Sequence, residues 1–124
     1  MVDIQTVVEQ VQSVFGEVKL PLRISILDRD GLEVYTSNTS SELETGSTDV
    51  LGISALEELS KNLKSRETEV HELIIRTSMK EFFIAPVAPG FFLSAVSGIG
   101  QMATIQTFLD GLLAQIRFVL KSIQ

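Results

Sequence analysis

Any chemistry in this chain would have to come from very few residues. His71 is its only histidine, and it has no cysteine. A histidine-based acid–base pair, or a metal held by nitrogen and sulfur, needs further ligands of those types at fixed spacing, and His71 has none. Set between Val70 and Glu72 at the start of an apolar run, it reads as a solvated histidine on a strand at the edge of a sheet. The serines supply no nucleophile: Gly46-Ser47 and Ser97-Gly98 lack the G-x-S-x-G frame that lifts a serine onto a strained turn. The carboxylate pairs Glu57-Glu58 and Glu42/Glu44 fall on a wet helix face and in a polar loop, where they are solvated charge. No catalytic, cofactor-binding or metal-ligating residue is assigned, and the expectation is that the protein is not an enzyme.

Two glycine-bearing motifs need weighing. Ser97-Gly98-Ile99-Gly100-Gln101-Met102-Ala103 holds G-x-G-x-x-A where a strand-like run gives way to a helical one. Dinucleotide sites use that spacing so that backbone amides can approach a pyrophosphate. They also need a second parallel strand after the helix, ending in an acidic ribose ligand, and no such run follows. The motif therefore reads as a tight start to a helix. No G-x-x-x-x-G-K-[ST] occurs, so the chain is not itself a P-loop NTPase. Asp28-Arg29-Asp30-Gly31 could open a calcium loop, but that frame puts Thr39 where the bidentate glutamate belongs, and strand-like runs flank it. It reads as a hairpin turn.

Composition narrows the class further. The net charge is −6, and the ten Lys and Arg are scattered with no three together, which argues against nucleic acid. At 124 residues the chain is expected to be one domain, 1–124, with a core of its own. Apolar residues make up 44% of it and the mean hydropathy is +0.28, high enough to expect apolar surface hidden against a partner. No run approaches the roughly 18 apolar residues of a membrane span, so no membrane insertion is expected. The opening Met-Val-Asp-Ile-Gln has no secretory pattern, and without cysteine there is no disulfide framework. A cytoplasmic protein is expected.

The elements follow from periodicity. Ile4, Val7, Val8, Val11, Val14, Phe15 and Val18 recur at three- and four-residue steps, predicting a helix over 3–18 that Pro21 ends. Arg23–Asp28 and Leu32–Ser37 form a β-hairpin around Asp28–Gly31. Residues 38–48 are a loop. From Asp49, Ile53, Leu56, Leu59 and Leu63 make a helical stripe with Leu51 and Ala55 beside it. Ser54 and Glu57 fit a capping box, which would start the regular helix there. Val70–Met79, Glu81–Val87 and Phe91–Ser97 are strands joined by short turns, hence an antiparallel meander. Phe82 and Ile84 point to one side of it and Phe83, Ala85 and Val87 to the other, so this sheet is covered on both faces. The pairs Phe82-Phe83 and Phe91-Phe92 accordingly fill two cores. A long helix over Ile99–Ile123 closes the chain, with Met102, Ile105, Phe108, Leu109, Leu112, Leu113, Ile116, Val119, Leu120 and Ile123 along one side. The fold class is α+β, in the order α-β-β-α-β-β-β-α.

This order, with Ile26-Leu-Asp-Arg-Asp-Gly-Leu32, with Phe82-Phe-Ile-Ala-Pro-Val-Ala-Pro-Gly-Phe-Phe-Leu-Ser-Ala-Val96 and with a last helix opening at Ile99-Gly100, resembles the Roadblock family of dynein light chains and small-GTPase regulators. The resemblance spans nearly the whole chain. One departure is Lys19–Ile24, where Arg23 stands near the first strand in place of the family's small residues. The resemblance implies a five-stranded antiparallel sheet with helices on both faces, of the Roadblock/profilin-like kind: first and last helices on one face, middle helix on the other. It also implies a homodimer built through the middle helix and third strand, which points to Leu56, Leu59, Leu63, Leu73 and Ile75 as interface anchors. A single middle helix should leave part of its sheet face bare until a second copy covers it. The function implied is a dimeric adaptor or regulator that binds a small GTPase or a related signalling or motility protein. The alternative is a sensory or ligand-binding module of the PAS or profilin-like kind, which would need an apolar pocket between sheet and helices.

Overall fold

The computed structural model describes residues 4–15, 22–38, 48–64 and 69–122. The element order is α1 (Ile4–Phe15), β1 (Leu22–Asp28), β2 (Glu33–Asn38), α2 (Thr48–Lys64), β3 (Leu73–Arg76), β4 (Glu81–Ala88), β5 (Phe91–Ser97) and α3 (Met102–Ser122). All neighbouring strands are antiparallel, in the spatial order β2-β1-β5-β4-β3. The hairpin and the meander are thus joined through β1 and β5, which places β5 and β4 centrally and makes β2 and β3 the edges. Of the expected loop over 38–48, Asn38 instead ends β2 and Thr48 begins α2, while residues 39–47 and both ends of the expected first helix lie outside the described residues.

Side-chain alternation along the strands decides which core each residue enters. Ile24 and Ile26 on β1, Phe83, Ala85 and Val87 on β4, and Leu93 and Ala95 on β5 meet Val7, Val8 and Val11 of α1. Seven residues of α3, from Met102 to Leu120, complete that cluster. The opposite side is thinner: Leu27, Ile84 and Phe92 pack on Ile53 and Leu56 of α2. Phe82 and Val96 form a small cluster beside Ile75. Each aromatic pair is split between the faces as its sequence position requires.

Four expectations need correction. The helix α2 begins at Thr48, six positions before the capping box at Ser54–Glu57. Ile53, only 1% exposed, has to be helical to reach the sheet, and its burial outweighs a local cap signal. The strand β3 is four residues long, shorter than Val70–Met79. It stops because the Thr77 hydroxyl accepts the amide N–H groups of Met79 and Lys80 while donating to the Lys80 carbonyl, which closes a turn at once. The last helix starts at Met102 instead of Ile99, after a turn in which the Gln101 amide donates to the Gly98 carbonyl. Finally, the sheet face under α2 is not left half bare. Ser25, Ser94, Phe82 and Val96 lie on that face and are all buried within one chain.

Gly52 explains how α2 comes so close to the strands. A Cβ built there would overlap Ile84 Cδ1. Gly52→Ala is expected to destabilise the protein by about 1–3 kcal/mol, as overpacked cores do, despite alanine's better helix propensity. In an Ile84→Val background, which removes Cδ1, the same change should cost about 1 kcal/mol less, a coupling that urea unfolding of the four proteins measures.

Candidate functional site

The structure first settles what the chemistry-bearing residues do. Asp28 is used up by the hairpin: its Oδ1 accepts the amides of Asp30 (2.9 Å) and Leu32 (3.0 Å), as an Asx turn does. His71 is exposed in the segment before β3, not in the strand itself. No group of three His, Asp or Glu that could hold a metal occurs among the described residues. At the glycine motif, the amide of Met102 that would greet an anion at the start of α3 donates instead to Glu81 Oε1, 3.0 Å away. Glu81 is 4% exposed and also accepts Arg76 Nε at 3.0 Å. A buried carboxylate already sits where a phosphate would bind, so the motif is the helix start it was read as, and Glu81 is its cap. Periodicity had no means of finding Glu81, because its partner lies 21 residues further along the chain.

The edge strand β3 shows Leu73 and Ile75 half-buried on the α2 side, opposite Ile84 and Phe82 of β4. On the same side Leu59 is 42% exposed and Leu63 is half-buried. Four of the five expected interface residues thus keep accessible area. The fifth, Leu56, does not: at 1% exposure it is part of the protomer's own core with Ile53, Leu27, Ile84 and Phe92. A residue that central on a helical stripe faces the sheet first, and only its flanks are left to face a partner.

A second apolar surface was missed. Leu32, Val34, Val50 and Leu51 are all exposed large apolar side chains. The hairpin turn and the first turn of α2 meet there, since a side chain at Gly31 would strike Val50. The only sequence signal was Leu32-x-Val34 on an edge strand, which period-two alternation alone would turn inward.

Burial and charge also act at Glu72, just before β3. Desolvation and the nearby Asp110 carboxylate push its pKa up, against smaller opposing effects of His71, a hydrogen bond from Gln106 (3.4 Å) and Arg117. A raised pKa means the folded state holds the proton more tightly than the unfolded chain. Glu72 therefore costs stability once ionised, and the cost vanishes as pH falls through its two pKa values. Glu72→Gln is expected to raise Tm modestly at pH 7 and to leave it unchanged below about pH 3, where both states are protonated. Thermal melts at the two pH values check the sign.

No family model and no curated protein matches the sequence. Solved structures do match the fold. Myxococcus xanthus MglB superposes with a TM-score of 0.71 at 7% identity, over 98% of this chain and 92% of that one. A Roadblock/LC7 domain from Streptomyces avermitilis gives 0.64 at 14% identity, over 94% and 96%. This chain has the Roadblock/LC7 fold. An MglB with a tetrameric arrangement gives 0.68 at 10% identity, over 97% and 91%. The likeness extends across the whole sheet and all three helices, so the expected α+β architecture, with two helices on one face and one on the other, is the observed one.

Proposed function

We propose that this chain is a non-catalytic, homodimeric adaptor or regulator that binds a small GTPase in the cytoplasm. The observation that carries the reading is the β3 edge: an apolar four-residue strand with Leu59 and Leu63 of α2 alongside it. Among the described residues no strand pairs with its outer side. An exposed apolar edge of this kind is a template for strand addition. A second copy of the chain is the simplest partner, because a two-fold axis pairs the same strand with itself and the same helix flank with itself. An oligomer also has a parallel in the tetrameric arrangement of one MglB of the same fold. Leu59, Leu63, Leu73 and Ile75 are the anchors, with Leu56 holding the helix in place beneath them.

The GTPase is proposed from the resemblance that the sequence carries, together with the surface around Leu32, Val34, Val50 and Leu51, which the dimer contact does not use. A binder without catalytic groups acts by preferring one conformation of its partner. No helix among the described residues is long and apolar enough to cross a membrane. The alternative of a sensory module gains little, because the space between sheet and helices is filled by side chains that are almost wholly buried.

Leu59→Asp is expected to halve the mass measured by light scattering, with a loss of at least about 2 kcal/mol in association free energy. An unchanged mass would remove Leu59 from the interface. Pull-down with GTPases from the same cell, loaded with either nucleotide, tests the partner. Retention in one nucleotide state only is the expected result, and retention of none counts against the GTPase.

A further inference from the structure

The strand β4 outruns its neighbour at one end of the sheet. β3 pairs with Glu81–Ile84, so Ala85–Ala88 have no strand on that side among the described residues. Pro86 fits such a place, since it has no N–H to leave unpaired, and its carbonyl accepts Arg117 Nη2 at 3.2 Å. Between this bare stretch, the segment 69–71, the β4–β5 turn, the end of α2 and the hairpin turn there is an open cleft of about 700 Å³. Its volume is that of a ligand or peptide site.

Charge converges on this cleft from distant parts of the chain. Arg29 comes from the β1–β2 turn, Lys64 from the last turn of α2 and Arg117 from α3, and the only histidine, His71, joins them. These are three of the ten Lys and Arg in a chain of net charge −6. None of the three is in an ion pair among the described residues. Lys64 complements the negative end of α2, and Arg117 spends part of its fork on Pro86, but Arg29 has no such task. Glu57 and Glu69 also line the cleft, leaving the cations in excess. The half-buried Val70 and Pro86 add apolar lining.

We propose that this cleft binds an acidic peptide segment of a partner protein, with an apolar side chain set against Val70 and Pro86 and carboxylates facing Arg29, Lys64 and Arg117. A single inorganic anion would suit donors that converge on one point, whereas these cations come from three separate elements and apolar residues share the lining with them. The site is separate from the proposed dimer contact. At 3.6 residues per turn, Glu57 and Lys64 lie on one flank of the buried Ile53/Leu56 stripe, and Leu59 and Leu63 lie on the other.

The test titrates the full chain into a fluorescein-labelled peptide of alternating glutamate and leucine and reads anisotropy. Saturable binding that weakens with added salt is expected, with amide NMR shifts in the unaltered protein at Val70, His71 and Gly90. The double variant Arg29→Glu/Lys64→Glu should weaken binding about ten-fold or more while leaving the circular dichroism and the solution mass unchanged. If that variant fails to fold, the neutral Arg29→Gln/Lys64→Gln pair takes its place. Absence of binding, equal binding of a lysine–leucine peptide, or unchanged affinity in the folded variant would overturn the proposal. So would inorganic phosphate competing at the same concentration as the peptide, which would make this a small-anion site.

Discussion

The rest of the structure depends on one constraint: β4 and β5 are buried on both faces. Of the fifteen residues in those two strands, nearly all are buried and the rest are half-buried. A strand so enclosed offers no wet side for polar groups, so each one present must find a partner inside the protein. Glu81 meets this condition by capping α3 and pairing with Arg76, and Ser97 by donating its hydroxyl to the Gly98 carbonyl at 3.2 Å. The Glu81 contacts also fix the position of α3, because its first amide is tied to the start of β4.

The two faces are not equivalent, and function follows from that difference. One carries α1 and α3 side by side, joined also by a hydrogen bond from Gln115 to Gln10 of 2.7 Å, over a large continuous cluster. The other carries α2 alone, seated through Gly52 and two fully buried side chains. A helix that meets the sheet along so narrow a stripe keeps both flanks accessible. One flank leads to the β3 edge and the other to the basic cleft, so both proposed contacts would share a single helix.

Much of this was legible from periodicity. The alternation Phe82–Val87 placed each residue in the correct core, and the stripe from Met102 to Leu120 marked the helix that covers the larger one. What escaped was non-local. Whether Leu56 faces sheet or partner depends on how α2 is rotated, which is set by Gly52 against Ile84, and no window around residue 56 contains that information. The length of β3 was set by the Thr77 hydroxyl in a way its β-rich sequence did not reveal. The cleft draws its residues from five separate segments, and nothing short of the folded chain brings Arg29 near Arg117.

The two edges of the sheet differ in what they would offer an added strand. Along β2 the exposed Glu33 and the half-buried Thr36 and Ser37 are polar, and Arg23 pairs with Glu33, so added strands would meet charge and hydration. Along β3 the sequence is Leu73-Ile74-Ile75, with no charge until Arg76. That residue is held by Glu81 at the strand's last position, where it marks the end of the apolar run. An edge only four residues long gains too little from backbone pairing to recruit chains indiscriminately. In the proposed dimer the partner must also match Leu59 and Leu63, so specificity would rest with the helix while the strand supplies alignment.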